Sequence, residues 1–94
     1  MDKHETLELL KQAAEKVPYL RALPHGNGVF AAWKDNVCHI LESAYGKDSS
    51  EYHRFVNAPG ISFIIRTEKG LEQDYLWRLD CYESVLDSLV SGQR

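Results

Sequence analysis

The sequence predicts an all-α fold, a small bundle of three long helices plus one short helix, with an extended apolar connector at 61–65. Three observations predict it. Apolar residues recur at spacings of three and four along three stretches, the period of one helix face. Capping and stop residues stand where those stretches begin and end. Only one segment has the β-branched, apolar character of a strand, and a lone strand leaves its backbone groups without partners. With 94 residues, 44% hydrophobic and 27% charged, the chain has the composition of a globular protein with one core, so residues 1–94 are read as a single helical domain.

The first helix is expected from about Asp2 to Lys16. Asp2 followed by Glu5 is an acidic capping box. Leu7, Leu10, Ala14 and Val17 make the stripe, widened by Leu9 and Ala13. Pro18 ends the helix, because its ring disfavours helical geometry in the residue before it. Tyr19 to Asn27 is read as a connector, with turn chemistry at Pro24, Gly26 and Asn27. Its Tyr19, Leu20 and Leu23 are apolar enough to pack over the core. The second helix, about Gly28 to Tyr45, has the cleanest pattern: Phe30, Trp33, Val37, Ile40, Leu41 and Ala44 lie on one side. Lys34, Asp35, His39 and Glu42 fall largely on the other, which makes the helix amphipathic. Gly46 supplies the left-handed position that stops it.

A short third helix follows the cap signal Asp48-Ser49-Ser50-Glu51, with Tyr52, Phe55 and Val56 as its apolar edge and Asn57-Ala58-Pro59-Gly60 as its stop. Ile61-Ser62-Phe63-Ile64-Ile65 has strand propensity. It is read as an extended connector packed on the bundle, the alternative being pairing with its twin in another chain. The fourth helix, about Thr67 to Leu89 or Val90, carries Leu71, Tyr75, Leu79, Tyr82, Leu86 and Leu89 on one stripe and Trp77, Cys81 and Val85 on a second beside it. Together the stripes cover more than a third of the helix, which is therefore either central to the domain or shared with a partner.

Several function classes are disfavoured. The apolar runs are a few residues long, against the roughly 20 needed to cross a bilayer, so no membrane span is expected. The charged start Met1-Asp2-Lys3-His4-Glu5 has no apolar segment behind it, and Cys38 and Cys81 make no disulfide framework, so a cytoplasmic location is expected. A net charge of −3 with scattered basic residues makes nucleic acid an unlikely partner. His4, His25, His39 and His53 never approach metal-ligand spacing, and no catalytic, metal or cofactor site is expected.

The remaining features have ordinary readings. His39 lies one turn beyond Asp35, the spacing of a solvated helix-face pair. Cys38 and Cys81 sit on or beside apolar stripes, where cysteine packs as a small hydrophobe. Arg21 and His25 bracket Ala-Leu-Pro in a way that resembles the Arg…His motif of the helical HEPN ribonucleases, but three residues intervene where that motif has four to six, and the match is read as chance. The aromatics lack the accompanying Arg and Lys of a base-stacking platform and are read as core. The acids Glu68, Glu72, Asp74, Asp80, Glu83 and Asp87 are read as a solvated face of the last helix.

The order Phe30-x2-Trp33-x3-Val37-x2-Ile40-Leu41-x3-Tyr45-Gly46-x-Asp48-Ser49-x2-Tyr52-x2-Phe55, followed by a long helix, resembles the small helical segments that precede TIR-like or predicted nucleotide-binding domains in bacterial defence proteins. The resemblance covers roughly residues 28 to 90 and rests on packing positions. It implies an oligomerisation or regulatory module without catalysis.

The expected function is accordingly a non-enzymatic protein-interaction module, self-associating or docking on a protein partner. Leu76 and Trp77 point about 100° apart on their helix, so one of them is expected to stay exposed. The residues expected to carry the interface are Trp77, Leu76, Ile61, Phe63 and Ile65. The alternative is a small-ligand-binding bundle or minor enzyme, with a pocket between the second and fourth helices near Trp33, Cys38, His39 and Tyr75.

Overall fold

Local capping sets the helix starts. In a computed structural model, which describes residues 2–59 and 67–91, the Asp2 carboxylate accepts from the Glu5 backbone N–H at 2.8 Å and opens α1, Lys3–Glu15. Asn27 accepts from Phe30 N at 2.7 Å and opens α3, Gly28–Tyr45. Ser49 accepts from Tyr52 N at 3.1 Å and opens α4, Ser50–Val56. Thr67 accepts from Gly70 N at 3.1 Å at the head of α5, Glu68–Ser91. Gly46 stops α3 at φ 96° and ψ 154°, a region that only glycine enters without strain.

The all-α bundle predicted from the sequence is what forms, with one further short helix. The segment Val17–Arg21, which runs from the expected end of the first helix into the expected Tyr19–Asn27 connector, is α2. Pro18 explains both the break and the restart. It ends α1 by disfavouring continuation, yet its own φ suits the first turn of a helix, where a missing N–H leaves no hydrogen bond unmade. Lys16, between the two helices, keeps right-handed geometry at φ −82° and ψ −12°. Asn27, read as a turn residue, is also the α3 cap.

α1 packs against α3 and α5, α4 rests on the same two helices, and α2 lies on α5. At about 1.5 Å per residue, the 24 residues of α5 account for most of the 43 Å long axis. The core takes Leu10, Val17 and Leu20 from α1 and α2, Val37 and Leu41 from α3, Phe55 from α4, and Leu79, Tyr82 and Leu86 from α5.

The α1 face is rotated from the predicted stripe: Thr6, Leu10 and Ala13 are buried, while Leu7, Leu9 and Ala14 are half-buried. Thr6 tolerates burial because its hydroxyl donates to Asp2 O at 2.9 Å. On α5 the principal stripe is buried from Tyr75 to Leu89, with Leu71 half-buried. Of the second stripe, Cys81 and Val85 are half-buried and Trp77 is exposed. Ile61, Phe63, Ile65 and the whole 61–65 connector lie outside the described residues.

Candidate functional site

Several of the polar side chains that suggest chemistry in the sequence brace the fold instead. Arg21 pairs with Asp80 and Glu83, fastening α2 to α5. His25 meets Glu68 at 2.7 Å through Nε2. Asp80 and Glu68 are twelve residues apart on one helix, about 18 Å at 1.5 Å per residue. Arg21 and His25 are therefore drawn to different stations on α5. Asn27 Nδ2 donates to Pro24 O at 2.7 Å and to Tyr75 Oη at 3.1 Å, and Tyr75 Oη donates in turn to Leu20 O. Arg78 bonds Asp74 at 2.8 Å and Arg54 bonds Ser88 at 2.9 Å. Asp35 and His39 both stand exposed with no hydrogen bond between them.

Among the described residues, no cluster of His, Cys, Asp or Glu has the makings of a metal site, and no buried side-chain nitrogen or oxygen lacks a partner. Burial pushes the Cys38 thiol above its ordinary value, with Asp35 and Glu42 adding to the rise and Lys34 opposing it. A thiol held protonated in this way is the reverse of an activated nucleophile.

The space between α3 and α5, where a pocket was expected, is occupied by rings. Phe30 meets Tyr75 edge-on at 5.3 Å, Phe55 lies 4.7 Å from Tyr82, and Trp33 lies 6.2 Å from Tyr82. Lys34 Nζ sits 5.7 Å over the Tyr82 ring, a cation–π contact.

A cleft of about 560 Å³ opens instead between α1, α2 and α3. Its floor is Leu9, Ala13, Leu20, Trp33 and Ile40, and Gln12, Glu15, Lys16 and Asn36 supply polar edges. Tyr19 and Val29 form its shoulders and are 58% and 47% exposed. Trp33 is fixed as floor because its Nε1–H donates to Ala13 O at 3.0 Å. Trp33 alone of Trp33, Cys38, His39 and Tyr75 lines this cleft.

Of the interface residues expected from sequence and described here, Trp77 is exposed on α5 and Leu76 is half-buried against the core. The sequence reading missed Tyr19 and Val29 as surface residues. Both were legible as apolar residues outside the main stripes, but the hollow between them depends on how α1 and α2 meet α3. No protein-family model, curated protein or solved structure matches the chain.

Proposed function

We propose that the chain is a non-enzymatic helical protein-interaction module that works by self-association. The observation that carries this reading is the apolar surface left outside a complete core. Tyr19, Val29 and Trp77 are exposed although fourteen other apolar side chains already pack together inside. Tyr19 and Val29 flank the cleft while Trp77 stands apart on α5, and exposed apolar groups beside a hollow mark an interaction surface. The use of Arg21, His25, Asn27, Tyr75 and Arg78 as braces supports a binding role over a chemical one.

A small-ligand reading has one observation in its favour, since the cleft volume falls within the range of small-molecule sites. Association is better supported, because the two shoulders project outward where a ligand seated on the floor leaves them in water.

Sedimentation equilibrium of the full chain tests the proposal. Twice the 10.8 kDa chain mass is expected as concentration rises into the high micromolar range. A single-chain mass across the whole range counts against it.

A further inference from the structure

We draw no further inference here: the strongest candidate, the apolar cleft between α1, α2 and α3 flanked by Tyr19 and Val29, is the surface already taken up in the proposed self-association, and nothing in the structure shows what covers it.

Discussion

The two sides of α3 make an instructive pair. Toward α5 and α4 the helix offers Phe30 and Trp33, which meet Tyr75, Tyr82 and Phe55 in ring contacts of 5.3 to 6.2 Å. Toward α1 it offers Val29, Ala32 and Asn36 beside Gln12 and Ala13, and a cleft remains. Both sides carry apolar residues, and α3 is in contact with α4 on the one and with α1 on the other. The difference is volume: large rings fill the gap between axes, while alanines hold the backbones in place without filling it. Hydrophobic patterning decides which side of a helix faces protein, and side-chain size decides whether that side closes. Trp33 belongs to both sides, through its ring contacts on one and its indole N–H on the other.

Truncation tests this contrast most forcefully. Tyr82 is 1% exposed and touches Phe30, Trp33 and Phe55. Tyr82→Ala is expected to cost about 3–5 kcal/mol, a large part of the ~5–15 kcal/mol that holds a typical domain folded. Urea unfolding followed by circular dichroism should show the transition shifted sharply down or lost. Tyr19→Ala, at the open side, is expected to change stability by about 0.5 kcal/mol or less. Equal losses from the two tyrosines would erase the distinction between the sides.

An intermediate effect is expected from Asn27→Ala. The Asn27 side chain caps α3 and also reaches Pro24 O and Tyr75 Oη, tying the α2–α3 turn to α5. Loss of the cap costs about 1–2 kcal/mol, readable as a lower urea midpoint with an unchanged slope. Asn27→Asp keeps the accepting oxygen but loses the two donated bonds, so it should recover only part of that loss.

The extent to which the sequence disclosed this molecule follows from the same physics. Asp2, Ser49 and Gly46 act through neighbours within a few residues, and each sits where the pattern places it. The α5 stripe is legible because Tyr75 to Leu89 repeat at helical spacing and are buried as a row. Thr6 is harder to read as a core residue, since its burial depends on a bond to its own helix backbone. The helical state of Val17–Arg21 competes with the signal of Pro18, and packing of Val17 and Leu20 into the core favours the helix. The cleft is the least legible feature. It arises from Ala13 and Ala32 lying near each other across two helices, a juxtaposition that neither local spacing contains.

The finest test compares thiols on the two sides of α3. Cys38 stands one turn beyond Lys34, the residue over the Tyr82 ring, and so belongs toward the filled side. Asn36→Cys places a thiol at the open cleft. With Cys81→Ser removing the other thiol, alkylation at each site can be followed by peptide mass spectrometry. The reactive species is the thiolate. Burial raises the Cys38 value above its ordinary 9.0, so its alkylation should be slow at neutral pH and still climbing above that pH, where an ordinary thiol levels off. The thiol introduced by Asn36→Cys should react faster at low protein concentration and slow as copies associate across the cleft. Cys38 should show no such concentration dependence, because it packs half-buried against the core of its own chain and does not line the cleft. Protection of Cys38 by rising concentration would mean that association covers the filled side and that the open cleft is not its cause.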